Sequence, residues 1–419
     1  MAARVLILNS FIKGWNILKS LADDSFEVNA GDYRAGAPGL FSNRIKDKTK
    51  NLIYPNPKLD EKAFTSSVLE HIQKHEFDIV LPVNAAEMMA LARIKNEILK
   101  YSLFPFENYH KLLLLHDKKY FHELISGICG EDLLPQSFSV GDQTLPLSEI
   151  MEKAGVGPDP DGKMPAFTPM ENFPTADQFL KSKDDLNYPL IVKTRRATSA
   201  VGVYRVNSAD QLRSACENLG HADIIIQQNL VGRGVGISAI RWDNPAMVHL
   251  FGHKRVREYP ISGGASTSRE PWDADSEKAA EAIRDLLYRL NWHGVVMFEF
   301  KEIETSEGQK HLFLEANPRF WGSVPLAIVN GVNFPSLLCR ATLGMEIPEV
   351  KNKNSVRARI IFSDTLSLVL NILKGRRIFY NLFDYFKFWN LYLDDIDMGD
   401  FPATRKVVRQ MLAEFFSRR

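Results

Sequence analysis

Between Gly294 and Ser323 the chain reads GVVMFEFKEIETSEGQKHLFLEANPRFWGS, two apolar runs joined by a polar turn at Ser306, Glu307 and Gly308. Such a pattern predicts a β-hairpin. A hairpin symmetric about Glu307 sets Glu299 and Glu315 directly across from one another, with Asn317 on the face of Glu315 and Arg319 two residues further on. Like charges so placed repel, and these two stand among Phe298, Phe300, Phe313 and Leu314. Such a pair has two physical explanations: one carboxyl is protonated with a raised pKa, or a cation lies between them. Two carboxylates and an amide oxygen are hard donors of the kind magnesium takes, with waters and phosphate oxygens completing its shell. A guanidinium at Arg319 suits phosphate oxygens. The plainer alternative is an exposed hairpin whose acids face water, and the apolar flanks weigh against it.

Composition bounds what can surround the hairpin. Of 419 residues, 45% are hydrophobic and 25% charged, the usage of a globular protein of two or three domains. Disordered, collagenous and disulfide-scaffold chains are thereby excluded. The 52 lysines and arginines face 51 acids, for a net charge of +1. Nucleic-acid binding through a whole-molecule basic field is not expected, so any charged ligand falls to a local site. Cys129, Cys216 and Cys339 are few, far apart and without a CxxC pair, which fits a reducing compartment. The opening MAARVLILNS is too short an apolar run for a signal peptide or a membrane span. The expectation is a cytoplasmic protein with no membrane span.

The chain divides by pattern. Strands at Arg4–Leu8, Phe26–Ala30 and Phe77–Val83 alternate with helices at Trp15–Ala22, Glu61–His75, Ala85–Lys100 and Tyr109–Ser126, which predicts a parallel α/β sheet. The turn NSFIKGW after the first strand lacks the GxGxxG fingerprint, so a dinucleotide site is not expected. Residues 141–176 hold six of the 21 prolines and predict an irregular surface insertion. From Tyr188 onward β-rich segments dominate, interrupted by a helix over Ser276–Leu290. After Ser355 the tail is helical and aromatic, through FYNLFDYFKFWNLYL, and amphipathic packing against the body or a partner subunit is expected. An interfacial membrane helix, which Asp384 and Lys387 would interrupt, is the alternative.

MFEFK followed by FLEANPRFWGS resembles the metal-binding signature of the ATP-grasp superfamily. The resemblance implies that Glu299, Glu315 and Asn317 hold Mg2+, with Mn2+ as a substitute, on ATP and that Arg319 meets phosphate. Other segments resemble the superfamily in the order it requires. In YPLIVKTRRATSAVGVYRV, Lys193 ends a strand and Thr194–Gly202 forms a loop, which implicates Lys193, Arg195, Ser199 and Gly202 in ATP binding. The loop has one glycine where relatives often have several, and Arg195 and Arg196 supply charge instead. IIIQQNLVGRGVGIS resembles the adenine hinge, with Gln227 and Gln228 on the adenine edge and the backbone of Leu230 beside it. A glutamine amide both donates and accepts. Gly234 stands where relatives often carry an acid for the ribose. LLLLHDKKYFHELI resembles the start of the domain and brings Lys118, or Lys119 in the other register, to the nucleotide.

More narrowly, KGWNILKSL and GDYRAGAPGLFSNRI resemble the carbamoyl-phosphate-synthase-like branch of single-unit ATP-grasp carboxylate–amine ligases. The implied architecture is α/β and α+β, an ATP-grasp fold at residues 116–345 behind a Rossmann-like pre-ATP-grasp domain at 1–115, with a mainly helical extension at 346–419. The implied reaction activates a carboxylate as an acyl phosphate with ATP and passes it to an amine, with Lys193 and Arg319 neutralising charge in the transfer. A carboxylate–thiol ligase or a non-catalytic ATP-binding regulatory module are the alternatives. Partners would be a small carboxylate and a small amine, and a homo-oligomer is compatible with the tail. In GHKRVREYPISGGASTSRE, Arg257, Gly264, Ser266 and Arg269 are substrate candidates, and a solvated hairpin turn is the competing reading.

Overall fold

The computed structural model describes all residues except 1, 142–144, 160, 184–185, 197–201, 221–222, 245, 262–263, 276, 307, 376–377 and 418–419, and no side chain beyond 413. The chain opens with β1 (Arg4–Leu8), α1 (Ile12–Asp23), β2 (Glu27–Asp32), β3 (Leu52–Ile53), α2 (Glu61–His75) and β4 (Ile79–Pro82). The strands pair in parallel in the order β3-β2-β1-β4. Val5 to Leu8 are fully buried, as expected of a parallel strand covered on both faces. The helix expected at 85–100 is two, α3 (Ala85–Arg93) and α4 (Lys95–Ile98).

The run expected as one helix over 109–126 also breaks, at Asp117, into α5 (Tyr109–His116) and α6 (Lys118–Cys129). Asp117 adopts an extended backbone, and its carboxylate accepts the Lys119 N–H at 3.0 Å as an N-cap. The break leaves Lys118 at the first position of α6.

A second sheet follows, with β5 (Ser137–Val140), β6 (Asn172–Phe173), β7 (Leu190–Thr194), β8 (Val203–Val206) and β9 (Ile224–Gln228) in the order β6-β5-β9-β7-β8. Helices α8 (Ala176–Ser182) and α9 (Ala209–Asn218) cover it, around Phe138, Phe179, Val192 and Ile226. The insertion has more order than its prolines suggest. It contains β6 and α7 (Leu147–Ala154), whose Leu147, Ile150, Met151 and Ala154 are buried. It then crosses α6, where the Thr168 N–H donates to the Glu123 carbonyl and the Met170 N–H to the Glu123 carboxylate, both at 3.0 Å.

That crossing requires a glycine on the helix. A Cβ at Gly127 would lie 2.2 Å from the Phe167 Cα, a backbone contact that cannot yield cheaply. Gly127→Ala is expected to destabilise the fold by about 1–3 kcal/mol through overpacking. Urea unfolding measures it, and an unchanged midpoint would show that the insertion does not dock on α6.

The third sheet carries the hairpin. Strands β10 (Arg233–Asp243), β11 (Ala246–Tyr259), β12 (Ala265–Trp272), β13 (Gly294–Thr305), β14 (Gly308–Asn317), β15 (Arg357–Arg359) and β16 (Leu391–Leu393) run in the order β14-β13-β10-β11-β12-β15-β16. Helix α10 (Lys278–Arg289) joins β12 to β13, and α11 (Val324–Val329) and α12 (Phe334–Thr342) follow β14. The tail holds α13 (Ile361–Leu373), α14 (Ile378–Tyr385) and α15 (Phe401–Ser417). It also adds β15 and β16 to the sheet, strands too short for a sequence pattern to announce. Trp15 on α1 donates to Asp400 at 2.7 Å and packs against Ala403 and Val407 of α15, so the tail closes back on the opening domain.

Candidate functional site

The hairpin turns one residue tighter than symmetry about Glu307 requires, pairing Thr305 with Gly308 and keeping step to Phe300 opposite Phe313. The register then shifts. Leu314 is the extra residue of a β-bulge, and beyond it Glu299 faces Glu315 and Met297 faces Asn317. Without the bulge Glu299 would face Leu314. The expected carboxylate pair therefore forms, but by a register correction that symmetry did not anticipate.

Each carboxylate is met by a cation. Glu315 lies 3.2 Å from the Lys118 Nζ, and Glu299 accepts from Arg255 at 2.6 Å. Burial raises the Glu315 pKa, but the charges of Lys118 and Lys193 override it and hold the carboxyl at about 2. Burial dominates at Glu299, with Arg255 opposing and Glu315 adding repulsion, and its pKa is raised. Glu299 is thus the member of the pair that takes a proton more readily.

Arg255 reaches Glu299 by lying across β10, which glycine permits. A Cβ at Gly234 would come within 2.8 Å of the Arg255 Cδ, and one at Gly236 within 2.4 Å of the His253 ring. The position expected to lack a ribose acid is therefore the groove for an arginine. The sequence did not single out Arg255 for this role; the paired glycines two residues apart were the available signal.

Two further cations complete the site. The Lys193 Nζ donates to Gln227 Oε1 at 2.9 Å, and the Gln227 amide donates to Ser137 at 3.0 Å. Burial, aided by the Lys118 charge and opposed by Glu315 and Glu299, lowers the Lys193 pKa to about 8. Arg319 donates to Asn317 Oδ1 at 2.7 Å and to the Phe320 carbonyl at 2.8 Å, and its Nε is buried without a hydrogen-bond partner. On its far side Lys13 of α1 donates to the carbonyls of Val83 and Phe320, both at 3.0 Å, tying the opening domain to the hairpin.

The remaining candidates separate. Lys118 faces Glu315, whereas the Lys119 Nζ lies 3.8 Å from Glu123, which selects Lys118. Strand alternation divides the two glutamines. Gln227 lies with Lys193 and Ser137 in a crevice also lined by Lys118, His122, Ile225 and Leu314. Gln228 is exposed and, with Ile226 and the edge of Gln227, lines a neighbouring recess beside Phe138, so the two glutamines border one recess and only Gln227 also reaches Lys193. His122 was not anticipated. Burial pushes its pKa down to about 4, and its Nδ1 is buried without a partner. Leu230 is half-buried past the end of β9, and Gly202, at φ 69°, leads into β8. Ser199 lies outside the described residues.

Three arginines are committed elsewhere. Arg195 forms a bidentate pair with Asp117 at 2.8 and 2.9 Å and is 2% exposed. Arg257 pairs with Asp364 at 2.6 Å and Asp384 at 2.6 Å, and Arg269 pairs with Asp394. These pairs are buried, so the expected contacts of Arg195 with phosphate and of Arg257 and Arg269 with substrate are corrected to ion pairs that join elements. The solvated alternative fails for Arg257 and Arg269, whose carboxylate partners come from the tail, whereas Pro260 and Ala265 beside the turn are exposed. Ser266 donates to the Ser268 carbonyl at 3.2 Å, and the Gly264 carbonyl accepts from Arg255 at 3.3 Å.

What remains open to a ligand is an excess of cations around two acids. Among the described residues no cluster of three or more His, Cys, Asp or Glu side chains is placed to hold a metal. Two facing carboxylates and the Asn317 amide form a smaller donor set, and its hard oxygens fit a divalent cation that keeps phosphate ligands.

A family model described as D-ala D-ala ligase C-terminus matches residues 160–259. No match was found among curated protein sequences. Among solved structures, N5-carboxyaminoimidazole synthetase from Staphylococcus aureus complexed with ADP is similar at 16% identity, with a TM-score of 0.61 over 89% of this chain and 86% of that one. Biotin carboxylase from Campylobacter jejuni, in a β-γ-ATP complex, has 14% identity and a TM-score of 0.58 over 85% of this chain and 74% of that one. L-amino acid ligase from Bacillus licheniformis has 14% identity and a TM-score of 0.55 over 81% and 74%.

Proposed function

We propose that this chain, whose fold is that of the ATP-grasp proteins, is an ATP-dependent ligase that joins a carboxylate to an amine. The observation that carries the reading is the convergence of Lys118, Lys193 and Arg319 on the facing pair Glu299 and Glu315. A site that buries more cations than acids is built for a polyanion, and the two acids give it a place for that anion's metal. Two of the three similar structures hold ADP or a β-γ-ATP complex and the third is named a ligase, which supports the same direction.

In the reaction, a carboxylate oxygen attacks the γ-phosphorus of ATP. The bond from that phosphorus to the β–γ bridging oxygen breaks, and ADP leaves. The amine nitrogen then attacks the acyl carbon, phosphate departs with the oxygen that made the attack, and the nitrogen loses a proton. Phosphoryl transfer of this kind depends on positioning and charge neutralisation more than on a protein nucleophile. Lys118 and Lys193 bind phosphate oxygens, Gln227 orients Lys193 and reads the base, and Arg319 binds the transferred phosphoryl group. Glu299, Glu315 and Asn317 would hold Mg2+, which supplies Lewis-acid charge neutralisation between the phosphates. Burial raises the Cys129 and Cys216 thiols to about 12 and about 11, so neither serves as a covalent relay. The free cysteines support a cytoplasmic setting, and no helix among the described residues is long and apolar enough to cross a membrane.

The test offers purified protein ATP, Mg2+ and pools of carboxylates and amines, recording ADP and new product masses. ADP release that requires both an acid and an amine supports the ligase. Nucleotide binding without turnover across broad pools points to a regulatory module.

Lys193 gives a sharper prediction. Lys193→Met is expected to weaken ATP binding about tenfold or more, a loss of about 1.4 kcal/mol. In the wild type the Lys193 pKa of about 8 rises when phosphate arrives. Binding above that pKa therefore takes up a proton, and binding well below it does not. Calorimetry in two buffers of different ionisation enthalpy measures the uptake. Its persistence in the methionine variant would remove Lys193 from the site.

A further inference from the structure

Helix α14 is built inside out. Its polar residues Asn381 and Asp384 are buried, and Asp384 pairs with Arg257 and Arg357. Its aromatic residues face outward, with Phe379 88% exposed and Phe383 66%. Phe386 and Trp389, just beyond the helix, and Leu373, at the end of α13, are also exposed. Positions 379, 383 and 386 fall on one helical stripe. A helix on a water-facing body presents the opposite arrangement, and a contiguous apolar patch of this kind marks an interaction surface.

Charge identifies the occupant. From 361 to 390 the sequence contains Lys374, Arg376, Arg377 and Lys387, and its two acids are Asp364 and Asp384. Both acids are buried and paired with arginines. Lys374 is exposed, and the Lys387 Nζ lies 4.5 Å over the Phe383 ring. In a chain whose charges otherwise balance at 52 to 51, this hairpin offers cations and aromatic rings without an exposed acid. A second copy docked face to face would set cations against cations, because an isologous interface meets itself. An anionic bilayer satisfies both features, since rings settle at the headgroup level and lysines meet lipid phosphates.

We propose that the α13–α14 hairpin docks this chain peripherally on an anionic lipid surface, with Phe379, Phe383, Phe386 and Trp389 in the interface and Lys374 and Lys387 against the headgroups. The docking does not depend on the nucleotide-site reading. The buried pairs of Asp384 with Arg257 and Arg357 hold α14 in the orientation that presents the rings.

The test is co-sedimentation of the full chain with phosphatidylcholine vesicles, with and without phosphatidylglycerol. The chain is expected to pellet with the mixed vesicles, weakly with phosphatidylcholine alone, and less as salt rises. Phe379→Ser with Phe383→Ser is expected to lower partitioning at least about tenfold at an unchanged thermal midpoint, because both side chains are exposed. Lys374→Glu with Lys387→Glu is expected to remove the preference for phosphatidylglycerol. Failure of the wild type to pellet with mixed vesicles overturns the proposal. So does a wild-type dimer in solution that the double serine variant converts to monomer, which would assign the face to a second copy.

Discussion

Glu315→Gln is expected to reduce turnover by roughly a thousandfold, the scale seen when one electrostatic partner of a developing charge is removed. The substitution keeps size and hydrogen bonding but removes the charge that faces Glu299 and accepts Lys118. Glu315 is the more firmly ionised of the pair, its carboxyl held at about 2 by Lys118 and Lys193 against the upward push of burial. It is therefore the more firmly held anion of the site, and Glu299, whose pKa burial raises, is the member that takes a proton first as pH falls. The activity lost as pH falls should follow protonation of Glu299, and Glu315→Gln should leave the circular dichroism spectrum unchanged. Turnover within threefold of wild type would remove Glu315 from the metal set.

The second large effect is on stability. Asp117→Ala is expected to cost about 3–5 kcal/mol, because it strands the buried guanidinium of Arg195. A further contribution of about 1 kcal/mol comes from the lost cap on α6. Asp117 accepts both Arg195 and Arg196 and is itself fully buried. Burial raises its pKa, but the arginines prevail and hold it below the ordinary carboxylate value. A depressed carboxyl contributes stability that is present above its unfolded pKa and is lost as pH falls through its folded pKa. The variant's unfolding free energy should accordingly vary less with pH at the acid end. Asp117→Leu combined with Arg195→Met should recover most of the loss, since an apolar pair of similar volume avoids the stranded charge. A loss below about 1 kcal/mol in the alanine variant would place Arg195 outside a buried pair.

The same residue shows why some of the site escaped the sequence. LLLLHDKKYFHELI has continuous helical periodicity, and only the resemblance of its Asp-Lys pair to a helix start announces that Asp117 leaves the helix. The reason lies with Arg195 and Arg196 on the far side of the second sheet. Arg257 and Arg269 share that cause, since the carboxylates of Asp364, Asp384 and Asp394 that seal them arrive from the tail. The hairpin was legible because two like charges among phenylalanines demand an explanation wherever they occur. Its bulge was not, because a single extra residue at Leu314 changes register without changing composition. The division of Gln227 from Gln228 needed only the period of a strand, already present in IIIQQ. The parallel sheet of the opening domain and the β-rich body followed from alternation, whereas β15 and β16, three residues each, left no pattern to find.

Arg319 and Lys193 connect the geometry to the chemistry, since Lys193 is buried, Arg319 is half-buried with its Nε enclosed, and neither has a carboxylate within hydrogen-bonding distance among the described residues. Burying a cation without an anion is costly, and the arrangement is explained if the anion is a ligand. Their separation from Arg195, Arg257 and Arg269, each of which has a carboxylate partner, distinguishes groups that hold the fold from groups that await a phosphate.

The route of one oxygen atom tests the central claim most directly. A carboxylate substrate labelled with oxygen-18 would be turned over with ATP, Mg2+ and an amine, and the released phosphate analysed by mass. Activation as an acyl phosphate predicts that phosphate carries one labelled oxygen per turnover, taken from the carboxylate. Phosphate released at the same rate without label would mean that water, not the carboxylate, attacks ATP, and would contradict the ligase.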